Sequence, residues 1–230
     1  MAEKSYCYRY PRPAVTTDCV VLGWGKGSLK VLLVQRGKEP FQGGWALPGG
    51  FLEMEEDAES GARRELKEET GIEGICMEQL YAFTTVDRDP RYRVISIAFT
   101  SLVALEDCKA GAGDDAARVE WFPLEKMPGL AFDHRCILQK ALDRWQMRSR
   151  YYPLGREALP EWFTMDELRQ LYEAIRDVRL EEITFREHLL RTGIVEEQKT
   201  EGDISIGKRK YRFIPERYER GIKEGFEFKI

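Results

Sequence analysis

Three glutamates, Glu65, Glu68 and Glu69, stand three and four residues apart within a stretch that begins at Gly50 and ends at Ile72. On a helix those spacings put all three carboxylates on one face. Like charges so placed cost a bare helix roughly a few tenths of a kcal/mol per pair. A cation would make the cluster worthwhile. Carboxylate oxygens are hard ligands that favour Mg²⁺ or Mn²⁺, ions that also bind the phosphate oxygens of a substrate. In full the stretch reads Gly50-x5-Glu56-x7-Arg64-Glu65-Leu66-x-Glu68-Glu69-x-Gly71-Ile72. A solvated acidic face would account for the glutamates alone. It does not account for the glycines, Arg64 and Ile72, which also fall at fixed offsets.

The elements around this stretch must hold it in place. The pattern predicts a helix over residues 55–70, stopped by Gly71 where a left-handed backbone is needed. Ala58, Ala62 and Leu66 recur at i, i+4 and i+8, a stripe suited to packing on a sheet. Residues 20–24 and 29–35 are β-rich and joined by Gly25-Lys26-Gly27-Ser28, which reads as a hairpin. Further strands are predicted at residues 45–47, 79–85, 93–105 and 119–122, with a polar loop over 106–115. Residues 133–148 form an amphipathic helix. Near Arg150 the character changes, and Tyr151-Tyr152-Pro153-Leu154-Gly155 marks a boundary between residues 1–152 and 153–230.

Composition narrows the class. With 43% hydrophobic and 33% charged residues, the chain fits a globular protein. No apolar run approaches the roughly 20 residues that span a bilayer. Residues 1–13 lack the apolar core of a signal peptide, so no membrane partner and a cytoplasmic location are expected. Five scattered cysteines without Cys-x-x-Cys spacing point to free thiols rather than zinc or a disulfide framework. The net charge of −4 argues against a nonspecific nucleic-acid coat, though not against a locally basic surface.

The glutamate stretch resembles the Nudix family box, and Trp45-Ala46-Leu47-Pro48-Gly49-Gly50 is similar to the segment that leads into it. The resemblance implies an α/β/α sandwich with a mixed sheet. It also implies Mg²⁺-dependent hydrolysis of a nucleoside diphosphate linked to another group. Carried over by position, Glu65 and Glu69 become the leading metal ligands, Glu68 a third, and the Gly49 carbonyl a backbone ligand. Arg64 would orient the carboxylates and Glu56 would stabilise the box. The general base stays open: Glu65 competes with Glu106, Asp107, Asp114, Asp115 and Glu120.

Asp87-Arg88-Asp89-Pro90-Arg91-Tyr92-Arg93 leads into a strand and places three arginines beside the expected pocket. Arginine suits bidentate phosphate contacts. This run resembles a segment of ADP-ribose-handling Nudix proteins, including a group of Nudix-related bacterial transcriptional regulators. Substrate binding is therefore assigned to Arg88, Arg91 and Arg93, with Arg36 from the end of the second β-rich run.

Beyond the boundary, Thr164 and Glu167 form a capping box ahead of Leu168, Leu171, Tyr172 and Ile175. A second amphipathic helix follows, with Phe185, Leu189 and Leu190 expected inward and Arg186, His188 and Arg191 on its polar face. A β-like tail is expected after it, in which residues 194–196 can pair with 210–214. Helix, turn, helix and hairpin outline a winged helix whose wing carries Lys208, Arg209 and Lys210. Seven basic residues against two acidic ones between Lys208 and Lys223 supply phosphate contacts. The layout resembles the C-terminal half of the Nudix-related regulators. Three functions remain: a plain hydrolase with a structural extra domain, an ADP-ribose sensor without turnover, and a homodimeric regulator that binds duplex DNA and hydrolyses its own effector. The intact set of carboxylates favours the last.

Overall fold

The computed structural model describes residues 7–108, 111, 116–198 and 206–225. A seven-stranded mixed sheet is built from β1 (Ala14–Gly25), β2 (Ser28–Arg36), β3 (Trp45–Ala46), β4 (Gly49–Phe51), β5 (Glu78–Phe83), β6 (Val94–Ala104) and β7 (Ala116–Pro123). The main order is β3-β2-β1-β6-β5, with β4 also on β1 and β7 on β2. β1 and β6 run parallel from Ala14↔Val94 to Trp24↔Ala104, and the other pairs are antiparallel. The β1–β2 hairpin turns on Lys26 and Gly27, both at positive φ (53° and 69°), as a two-residue turn matched to strand twist requires.

Alternation along β1 decides what lies on each face. Cys19 and Val21 point to α1 (Ala58–Thr70), where Ala62, Leu66 and Ile72 are buried with them. Val20, Leu22 and Trp24 point the other way, onto Ile137, Leu138, Ala141 and Trp145 of α2 (His134–Tyr151). Helices thus cover both faces, the layering the sequence suggested. α1 starts at Ala58 rather than at residue 55, because the Asp57 carboxylate accepts the Ser60 N–H at 2.8 Å and caps it there.

The C-terminal part contains β8 (Phe163–Thr164), α3 (Met165–Arg176), α4 (Glu182–Thr192), β9 (Val195–Glu197), β10 (Lys210–Phe213) and α5 (Pro215–Glu224). The capping box is present: the Thr164 hydroxyl accepts from Glu167 N–H, and the Glu167 carboxylate accepts from Thr164 N–H. β10 lies between β8 and β9 in a small antiparallel sheet. After β10 the chain continues as a helix that was not among the expected elements, because Pro215 at its start suits a first turn and Tyr218 buries against Phe213. One expectation is corrected. Leu190 is exposed, since Phe185 and Leu189 alone fill the inward stripe of α4.

One apolar cluster runs from Val20 and Leu22 through Trp145, Leu154 and Leu159 to Leu168, Tyr172 and Phe185. The C-terminal elements therefore share a core with the α2 face of the sheet. Polar contacts cross the same junction: Gln146 Nε2 donates to the Arg176 carbonyl at 3.0 Å, and Leu154 N–H donates to the Tyr172 hydroxyl at 3.1 Å. No helix among the described residues is long and apolar enough to cross a membrane.

Candidate functional site

The box forms the turn from β4 into α1, and Arg64 holds it together. Its guanidinium donates to both oxygens of Glu56 (3.1 and 2.7 Å), to Glu65 (2.8 Å), to Glu68 (3.1 Å) and to the Phe51 carbonyl (3.0 Å). One planar cation thus joins three carboxylates of the box to the end of β4. Glu69 instead reaches back to β4, where its Oε2 accepts the Gly49 N–H at 2.9 Å. A Cβ on Gly49 would sit 2.1 Å from the Thr17 carbonyl oxygen, and one on Gly50 would sit 2.4 Å from the Glu65 carboxylate. Both glycines are needed for these close approaches.

These residues open onto a cavity of about 300 Å³ lined by Asp18, Arg36, Gly49, Gly50, Phe51, Glu65, Glu69, Arg88, Asp89, Arg91, Phe132 and His134, among others. Of the residues assigned from sequence, Gly49, Glu65, Glu69, Arg36, Arg88 and Arg91 meet here. Glu68 and Arg93 do not. The Glu68 side chain is 58% exposed and held by Arg64, while Arg93 turns away to donate to the Thr85 carbonyl at 2.9 Å. Among the acids considered as base, Glu106, Asp107 and Glu120 lie outside the cavity lining. Asp107 borders a different cavity and Glu120 pairs with Arg118. Asp114 and Asp115 lie outside the described residues.

The lining charges are poorly solvated, and the acids show it. Burial pushes the Glu69 carboxyl up to about 7, opposed by the Gly49 N–H and reinforced by Glu65. Burial also raises Glu65, with Arg64 opposing. A divalent cation would relieve this pair and so fits the residues present. Among the described residues no three His, Cys, Asp or Glu converge as a cage for a metal ion. A bound cation would therefore take Glu65, Glu69 and the Gly49 carbonyl and complete its shell from water and phosphate oxygens, as Mg²⁺ commonly does.

The opposite wall is a buried polar network that the sequence reading missed. Arg88 donates to both Asp133 oxygens (2.9 and 2.6 Å) and lies 3.4 Å from Asp18, whose carboxylate also accepts from the Ser96 hydroxyl. His134 Nδ1 accepts the Leu47 N–H at 2.9 Å, and its Nε2 lies 3.4 Å from Asp18. Burial lowers the His134 pKa against the pull of Asp18 and Asp133, and because Nδ1 accepts from Leu47 the ring proton is carried on Nε2. One signal was available: Asp18 is a lone acid inside an apolar strand, and a buried carboxylate needs partners. Phe132, at a φ of 52°, packs edge-on to Phe41 and carries the Arg36 guanidinium 4.8 Å over its ring.

A second candidate surface lies on the C-terminal elements. α4 turns Ile183, Glu187, Leu190 and Arg191 outward. Arg186 and His188 sit half-buried on its flanks, where Arg186 Nε and His188 Nδ1 meet no hydrogen-bond partner among the described residues. On the wing, Arg209 pairs with Glu197 at 3.2 Å and Arg212 with Glu196 at 2.6 Å. Lys208 and Lys210 are exposed and carry no ion pair among the described residues. Glu201 and Asp203 lie outside those residues.

Comparison with known proteins agrees with both halves. A NUDIX domain model matches residues 12–141, and an NrtR DNA-binding winged helix domain model matches residues 155–213. The ADPR responsive transcriptional repressor NtrR of Acinetobacter baylyi is 34% identical over 226 residues, covering 95% of this chain and 89% of the relative. An ADP-ribose pyrophosphatase of Methanocaldococcus jannaschii is 42% identical over 137 residues, covering 60% of this chain and 77% of the relative. The crystal structure of Shewanella oneidensis NrtR complexed with a 27mer DNA superposes with a TM-score of 0.73 at 29% identity, over 89% of this chain and 95% of that one. With the box, the mixed sheet and the C-terminal winged helix in this order, the chain belongs to the Nudix family, among its NrtR-type regulators.

Proposed function

We propose that this chain is an ADP-ribose-responsive transcriptional regulator that also hydrolyses its effector with Mg²⁺ or Mn²⁺. In this reading residues 1–152 bind the ligand, residues 153–230 bind duplex DNA, and the working unit is a homodimer. The observation that carries the reading is the shared cavity, where the half-buried pair Glu65 and Glu69 lines the same space as Arg36, Arg88 and Arg91. Cations and carboxylates across one cavity suit a diphosphate that arrives with a metal ion.

Arg36 and Arg91 bind the diphosphate, and Arg88 supports it from the buried wall. Asp89 holds Arg91 in place by hydrogen bonds of 3.0 and 2.8 Å to its guanidinium. The bound divalent cation supplies charge neutralisation and lowers the pKa of a coordinated water. Glu65 and Glu69 hold that cation, and Arg64 fixes the direction of Glu65. Glu65, which lines the same cavity, is in this reading also the acid that accepts the proton. The similar proteins, an ADPR responsive transcriptional repressor and an ADP-ribose pyrophosphatase, support the same ligand.

The direct test is AMP release from ADP-ribose with and without Mg²⁺, for wild type and Glu69→Gln. Metal-dependent turnover lost in the variant is the expected result. Clear ADP-ribose binding without turnover would reduce the Nudix domain to a sensor. No binding at all would overturn the reading.

A further inference from the structure

The outward stripe of α4 is more apolar than a helix that only contacts phosphates would need. Ile183 is 67% exposed and Leu190 37% exposed, and with Glu187 and Arg191 they fall at i, i+4, i+7 and i+8. The direction of the stripe is set by Phe185 and Leu189, which are fully buried on the other side, Phe185 edge-on to Tyr172 at 5.5 Å. Ile183 is the second residue of α4, following the exposed Glu182 and two positions after the Glu181 cap, whose carboxylate accepts the Ile183 and Thr184 N–H groups. It therefore stands at the end of the helix that recognition helices present to base edges.

The surrounding charges say what this stripe meets. Arg191 ends the stripe, and Arg217 of α5 donates to the Gly193 carbonyl at 2.8 Å just past the end of α4. These cations suit phosphates flanking a groove. Glu187, one turn after Ile183 on the same stripe, would be repelled by phosphate, so the middle of the stripe suits base edges instead. Among the major-groove edges of the four base pairs, the thymine 5-methyl is the apolar feature.

We propose that Ile183 determines sequence specificity by packing its side chain against a thymine methyl group in the major groove. The inference rests on the DNA-binding reading above and adds the base that is read. Arg186 and His188, half-buried on the flanks, then support the helix rather than lead the readout.

The test uses full-length protein and duplexes enriched by it from a random pool. Thymine is replaced by uracil one position at a time, which removes only the methyl group, and affinity is read by fluorescence anisotropy at fixed salt. Wild type should lose about fourfold at one thymine per half-site, the value of burying one carbon of that size. Ile183→Ala should lose a similar factor on the thymine duplex and no longer distinguish thymine from uracil; Ile183→Val should fall between. Because Ile183 is exposed, the alanine variant should unfold at the wild-type temperature. Wild type indifferent to every uracil overturns the proposal, and so does Ile183→Ala with undiminished discrimination. A variant that changes only protomer association in sedimentation would assign the stripe to a second copy and also overturn it. Failure to enrich any duplex overturns the DNA-binding reading itself, a result distinct from the others.

Discussion

Asp133 grips the Arg88 guanidinium through two near-parallel hydrogen bonds of 2.9 and 2.6 Å, and so ties the start of α2 to the wall of the ligand cavity. Both side chains are largely shielded from water, at 4% and 19% exposed. α2 then runs 18 residues to the junction where Trp145 and Gln146 meet the C-terminal elements. The wall of the cavity and the residues packed against the C-terminal elements are therefore joined by one helix.

Asp133→Ala should destabilise the protein by roughly 3 kcal/mol, because Arg88 keeps a buried charge with Asp18 as its remaining acid. Chemical denaturation measures this. The Asp133→Ala, Arg88→Met double variant should recover part of the loss, since no uncompensated cation is left. A double variant less stable than the single one would refute that account.

The cavity arginines should separate into two classes by calorimetric titration with ADP-ribose. Arg36→Ala and Arg91→Ala should each weaken binding by roughly 1.5–3 kcal/mol, the range for a hydrogen bond to a charged group. Arg93→Ala should bind as wild type, because its side chain runs to the Thr85 carbonyl outside the cavity. Equal losses in all three would contradict the placement of Arg93.

His134 should make stability fall on acidification. Its pKa is lowered in the folded state by burial, so below about 6.5 the unfolded chain takes up a proton that the folded ring refuses. The contribution is present above 6.5 and is lost as pH falls toward the folded-state value. In His134→Gln the slope of unfolding free energy against pH between 7 and 5.5 should be shallower. An unchanged slope would mean that other groups carry it.

Lys208 and Lys210, which carry no ion pair among the described residues, should dominate the salt-dependent contacts of the wing. Lys208→Ala with Lys210→Ala should reduce the slope of log affinity against log salt by about 2, near 0.9 per lost phosphate contact. Arg209→Ala should change it less, because Glu197 already neutralises that side chain. Equal slopes for all variants would place the wing away from DNA.

Much of the molecule was legible in order along the chain. Period-two and period-3.6 patterns located the main strands and helices. Thr164 with Glu167 marked the start of α3, and the spacing of the glutamates marked a helix face suited to a divalent cation, to which the resemblance to the Nudix box added the expectation of diphosphate chemistry. These features are local, because hydrogen bonds within a helix and alternation along a strand depend on near neighbours. Where the local rules failed, the decisive contact came from elsewhere. Leu190 carries an inward pattern yet lies outside, because Phe185 and Leu189 had already filled the space against the core.

The sequence by itself determined which groups could bind a cation and a diphosphate: Glu65, Glu69, the glycines before them and a supply of arginines. Only the tertiary structure decided which arginines reach the cavity and which acids hold them. Asp18, Arg88 and Asp133 are separated by 70 and 45 positions in the chain, and they meet because β1, the loop before β6 and the start of α2 converge at one end of the sheet. The choice is made by desolvation: a charge in that wall is tolerated only beside its opposite, and no spacing rule along the chain expresses that requirement.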